Sequence, residues 1–176
     1  HDVVLPPKAF FMLNHWMKAA PAPVVSGLYF GRAYPSEPMV FRGMGEGVYT
    51  DWRMGDVVEV AGVPTGCLLI HMGLLRAMWE DSEEYTISGI KTRRVFDTPR
   101  SSWYNPETNT TNMSAGTSDL DWCRRVIEGD YLRKSGWTDY ADKPYPFLVD
   151  TGLFCWHIQP NGDKYPDRRT YEKFGG

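Results

Sequence analysis

The chain has 176 residues, 42% of them hydrophobic, enough for one domain with a real core and too many for extensive disorder. Lys and Arg total 19 against 22 Asp and Glu, a net charge of −3, so the basic face of a nucleic-acid binder is not expected. No apolar run approaches the roughly 18 residues of a membrane span, and no signal peptide is read at the start.

Cys67, Cys123 and Cys155 are scattered and form no Cys-x-x-Cys pair. They predict reduced, mostly buried thiols in a cytoplasmic protein rather than a zinc knuckle. The opening His1-Asp2-Val3-Val4-Leu5-Pro6-Pro7 has no Met and begins at once on an apolar strand end, so a preceding piece is expected.

In chain order, Val3 to Leu5 reads as a strand end that Pro6-Pro7 breaks. Phe10, Leu13, Met17 and Ala20 fall near helical spacing and predict a helix from Ala9 to Ala20, stopped by Pro21 and Pro23. Val24 to Phe30 predicts a buried strand, and the Gly- and Pro-rich 31–55 a loop with a hairpin-like excursion. Short strands are expected at Val57 to Val60 and Leu68 to Ile70, with a small-residue turn from Gly62 to Cys67 between them. A short helix follows over Gly73 to Trp79. Asp81 to Gly116, rich in Ser, Thr, Asn and Pro, predicts a mobile loop. The clearest helix starts at Thr117 or Ser118, with Leu120, Cys123, Val126 and Ile127 on one face and two acids in its first turn. Two short strands, Tyr145 to Val149 and Leu153 to Ile158, flank Asp150-Thr151-Gly152. From Gln159 onward the sequence is polar and without pattern, which sets a boundary between 1–158 and a tail, 159–176.

Three groups of residues carry chemistry. Asp2 and His157 offer a carboxylate and an imidazole, a donor pair suited to Mn²⁺ and less to Mg²⁺, although each also reads as an ordinary terminal acid or strand histidine. Asp119 and Asp121 compete for the role of general base; two residues apart, they point to different helix faces, and both also suit the helix dipole. Gly62, Thr65 and Gly66 belong to a turn that lets a ligand approach the backbone, or that simply opens a strand. Seven Trp and ten Tyr suit stacking on sugar rings and an aromatic core equally well. A hydrolase using Asp2, His157 and His71 or His15 ranks last, because no His-x-His or His-x-x-x-His spacing supports it.

Taken in order, these features resemble glycosyltransferases of the GT-A type, family-2-like. The resemblance covers most of residues 1 to 158. It rests on Asp2-Val3-Val4-Leu5-Pro6-Pro7, on Gly62-Val63-Pro64-Thr65-Gly66, on Asp119-Leu120-Asp121-Trp122-Cys123-Arg124, and on Asp150-Thr151-Gly152-Leu153-Phe154-Cys155-Trp156-His157. It implies an α/β fold in which a mixed sheet is flanked by helices, with the first, nucleotide-binding part missing. It implies a metal-dependent, inverting transfer of a sugar, hexosyltransferase-like, from a nucleotide-diphosphate sugar. Asp2 then looks like the last acid of an Asp-x-Asp motif bound to Mn²⁺ or Mg²⁺, and His157 like the later metal ligand. Asp119 looks like the base. Gly62, Thr65, Gly66, Asp121 and Trp122 look like substrate contacts. The family's acid before the base is Ser118 here, which favours the alternative of a non-catalytic carbohydrate-binding or assembly module. The acceptor stays open among polysaccharide, lipid-linked sugar, protein and modified DNA base, and an upstream chain or segment is expected to complete the domain.

Overall fold

A computed structural model describes residues 2–43, 45–115 and 117–176. The elements run β1 (Val3–Val4), α1 (Ala9–Lys18), β2 (Val24–Leu28), β3 (Val57–Val60), β4 (Leu68–Ile70), α2 (Met72–Asp81), β5 (Glu84–Ile87) and β6 (Ile90–Arg93). They continue with β7 (Arg100–Asn105), β8 (Thr110–Ala115), α3 (Ser118–Glu128), α4 (Tyr131–Lys134), α5 (Thr138–Ala141), β9 (Phe147–Phe154), β10 (Trp156–Ile158), β11 (Lys164–Tyr165) and α6 (Arg168–Lys173).

The centre is a mixed four-stranded sheet in the order β3-β9-β2-β4. β2 and β9 run parallel, while β3 and β4 are antiparallel to them on the outside. All five residues of β2 are buried, as expected of a parallel strand covered on both faces. The two-residue period of a strand divides its side chains between the faces. Val24, Leu28 and Phe30 join Val58, Val60, Phe147 and Val149 on one face, where α2 contributes Leu74 and Met78 and α3 contributes Trp122, Cys123 and Val126. Val25 and Leu148, and beyond them Tyr29 and Leu153, face the other way, against Trp16, Met12 and Leu13 of α1. The fold is therefore mixed α/β, with helices on both sides of the sheet. Among the described residues no helix is long and apolar enough to cross a membrane.

Gly27 sits where β2 and β9 press together. A Cβ there would stand 2.7 Å from the Leu153 carbonyl oxygen, and the register between the strands shifts at this point. Past the shift, a second sheet takes over in the order β1-β10-β11, pairing Val3 with His157 and Val4 with Trp156. Cys67, Cys123 and Cys155 are all buried free thiols, as the sequence predicts.

Three expectations are corrected. The stretch 81–116 is not one loop: up to Ala115 it holds two antiparallel hairpins, β5–β6 and β7–β8, while Gly116 lies outside the described residues. The first hairpin turns on Ser88 and Gly89, both at positive φ. Asp150-Thr151-Gly152 does not separate two strands, because β9 runs through it and Thr151 Oγ1 lies within 2.8–3.0 Å of the Arg53 and Asp56 carbonyls. The segment 159–176 is no patternless tail: β11 pairs with β10, and after α6 the Phe174 ring stacks on Trp52 at 4.5 Å inside the core. The region 31–55 is largely loop, as expected, and an antiparallel bridge from Phe30 to Pro38 makes its hairpin-like excursion; a second bridge joins Phe41 to Gly62.

Candidate active site

Asp2 and His157 come from far apart in the sequence, and the β1–β10 ladder sets them side by side. Val3 is paired with His157, so Asp2 leaves the ladder next to the imidazole. His157 Nε2 lies 3.5 Å from Asp2 Oδ2. The other ring nitrogen, Nδ1, is 2.8 Å from the Phe30 carbonyl oxygen. A carbonyl only accepts, so Nδ1 carries a proton toward Phe30 and Nε2 is left to face Asp2. An imidazole oriented by a backbone carbonyl is the arrangement that metal-binding histidines use. His157 is well sheltered, its side chain 12% exposed against 46% for Asp2. Burial pulls the Asp2 carboxyl upward, but its own backbone amide and the His157 side chain outweigh that and hold it below the usual carboxylate value.

These two residues line a cavity of about 370 Å³ with Val3, Tyr29, Arg32, Thr65 and Gly66. The turn that delivers Thr65 and Gly66 is pinned from beneath. The buried Ser26 hydroxyl lies 3.2 Å from both the Pro64 and the Cys67 carbonyls, and Gly27 N–H donates to Cys67 O at 2.8 Å. Gly66 has to be glycine for a steric reason. A Cβ there would stand 2.4 Å from the Tyr29 ring and 2.9 Å from Val3 Cγ2.

Asp119 stands off the cavity, in the first turn of α3. Cys123, one helical turn later on the same face of α3, sits 3.4 Å from the Val63 amide nitrogen, so this face rests on the 62–66 turn. Asp119 does not line the cavity itself, but its charge is felt there. The Tyr29 hydroxyl is pushed up to about 12, first by burial and then by Asp119, with the Gly66 backbone amide pulling the other way. Tyr29 also sets its ring edge-on to His157, with centroids 5.5 Å apart. It therefore links the Asp119 side to the Asp2–His157 side.

Three predicted substrate contacts are placed elsewhere. Trp122 is fully buried, stacked on Phe96 at 5.4 Å and tilted against Phe147, so it is a core residue that no sugar reaches. Asp121 points away from Asp119, as the helix period requires, and is bound by Arg124 at 2.7 Å. Gly62 is buried in a bridge with Phe41 and does not line the cavity. Of the other histidines, His71 caps α2 by accepting from Gly73 N–H at 3.1 Å, and His15 packs against Trp16; neither joins the pair.

Two residues of this site are missing from the sequence-based reading. Tyr29 there is only one apolar residue of a strand, and Arg32 is only part of a glycine-rich loop. Spacing gives no signal for either, because the ladder between distant strands brings them in. Among the described residues no group of three or more His, Cys, Asp and Glu side chains converges. The carboxylate of Asp2 and the imidazole of His157 are donors whose chemistry would suit Mn²⁺ or Mg²⁺. Compared with known proteins, the chain matches no family model, no curated protein and no solved structure.

Proposed function

We propose that the chain is the metal- and acceptor-side part of a glycosyltransferase that moves a sugar from a nucleotide-diphosphate sugar to a hydroxyl acceptor, with inversion. The observation that carries this reading is the meeting of Asp2, His157, Thr65 and Gly66 around one cavity with Asp119 close behind it. Asp2 and His157 would hold the Mn²⁺ or Mg²⁺, whose charge neutralises the departing diphosphate. Thr65 and the exposed backbone of Gly66 form the wall for the sugar. Asp119 takes the acceptor proton as the acceptor oxygen bonds to the anomeric carbon and the nucleoside diphosphate leaves.

A further segment supplies the base and ribose contacts. Its reading is supported by the apolar face of α1, where Phe10 is 78% and Phe11 82% exposed beside the outer strand β4. A patch of that kind marks a surface meant to be covered.

Titration with Mn²⁺, followed by its electron paramagnetic resonance signal, tests the cation pair. Saturable binding that both Asp2→Asn and His157→Ala remove is expected; no saturable binding by the wild-type chain would sink the reading. For the chemistry, Asp119→Asn is expected to abolish sugar transfer while leaving Mn²⁺ binding intact.

The second reading, carbohydrate binding or assembly without catalysis, draws on the fact that among the described residues no third His, Cys, Asp or Glu side chain joins the pair. Glycan binding that survives chelation of all divalent cations would favour it.

A further inference from the structure

Arg32 lies at the boundary between two adjoining cavities. One holds Asp2, Thr65, Gly66 and His157; the other holds Asp2, Ile158 and Gln159. Its Nη1 is 3.3 Å from Asp2 Oδ2, the same carboxylate oxygen that faces His157 Nε2. The guanidinium thus presents its positive charge to the oxygen a divalent cation would take. Its side chain is 44% exposed, and Asp2 is its one ion-pair partner among the described residues. A guanidinium offers five N–H donors in a fork that matches two oxygens of a phosphate. Most of that capacity is unspent here.

We propose that Arg32 is an internal stand-in for the cation, which gives up Asp2 when a divalent ion arrives and turns its fork onto the diphosphate of the donor. The inference rests on the proposed metal- and diphosphate-binding role of this cavity and assigns that role's anion partner. Two like charges cannot share one carboxylate oxygen without repulsion. Arg32 therefore weakens the binding of a bare cation and strengthens that of a cation carrying a diphosphate. A merely structural arginine would not produce effects of opposite sign.

The test uses Mn²⁺ alone and then pyrophosphate at saturating Mn²⁺, both by isothermal titration calorimetry on the whole chain. Arg32→Gln is expected to bind Mn²⁺ about fivefold tighter, the size of one charge contact in water. The same variant is expected to bind pyrophosphate about tenfold more weakly, the loss of a charge-assisted contact. Arg32→Lys keeps the charge without the fork; it should match the wild type for Mn²⁺ and fall between the other two for pyrophosphate. Unchanged or weaker Mn²⁺ binding by Arg32→Gln would overturn the proposal, as would unchanged pyrophosphate binding. If the wild-type chain binds no Mn²⁺, the glycosyltransferase reading falls and this inference with it. If it binds Mn²⁺ and the variants do not differ, only the role of Arg32 falls. Equal thermal unfolding of the three proteins checks that each is folded.

Discussion

The wall of the cavity and the pair of hairpins that precede α3 are built on opposite plans. At the wall, Ser26, Gly27 and Tyr29 of the buried strand region fix Thr65 and Gly66 from beneath, and α3 clamps the turn through Cys123. The hairpins β5–β6 and β7–β8 pair mainly with themselves and leave Ile90, Trp103 and Tyr104 in solvent. The difference teaches where each kind of work belongs. On the proposed reading, the groups that would hold a cation and a base in register sit on pinned backbone. Selection among acceptors suits the exposed hairpins, which can vary without disturbing the core.

Substitutions can break or sharpen this contrast. The largest effect is expected from Trp122→Ala, which empties a fully buried site: about 4 kcal/mol of stability, read from chemical denaturation. A small effect there would return Trp122 to the list of substrate contacts. Next comes Gly66→Ala, where the added carbon meets Tyr29 and Val3; about 3 kcal/mol and a loss of Mn²⁺ binding are expected. Normal stability with normal Mn²⁺ binding would show that the wall is not pinned.

Tyr29 gives a pH signature. Its folded-state value, about 12, lies above the ordinary 10, so the neutral phenol is favoured in the native state. That contribution is fully present below pH 10 and is lost as pH rises toward 12, by about 3 kcal/mol at most. The alkaline fall in unfolding free energy should therefore be steeper in the wild type than in Tyr29→Phe; equal slopes would detach Tyr29 from its buried setting. The smallest effect belongs to the hairpins. Trp103, 51% exposed, should cost less than about 0.5 kcal/mol on change to Ala, while the KM for the acceptor moves and kcat for transfer does not. A large loss of stability would make the hairpin part of the core.

The strands and helices with strong local patterns are legible in the sequence. Val24 to Phe30, Val57 to Val60 and the α3 face of Cys123 and Val126 follow from apolar periodicity. The hairpins are missed because composition outweighs turn chemistry, although Ser88-Gly89 is a two-residue turn of the favoured kind. The segment after Gln159 is missed because its anchor is one ring, Phe174, with no repeating neighbours. At the site, Asp2, Thr65, Gly66 and His157 come from the ordered motifs of a resemblance. Trp122 shows the limit of that route: a tryptophan inside a motif is core or contact according to which way its helix faces, and only packing decides.

The β1–β10 ladder has a consequence for how the molecule is made. Asp2 leaves the ribosome more than 150 residues before His157, so the strand that holds it does not exist until Trp156 and His157 have been added. Contacts this distant in sequence close late, after the pinned wall and α3 are able to form. The Asp2–His157 pair is thus a late joint of the fold, and a nascent chain that already has its 62–66 turn in place still lacks the ladder that brings the two side chains together.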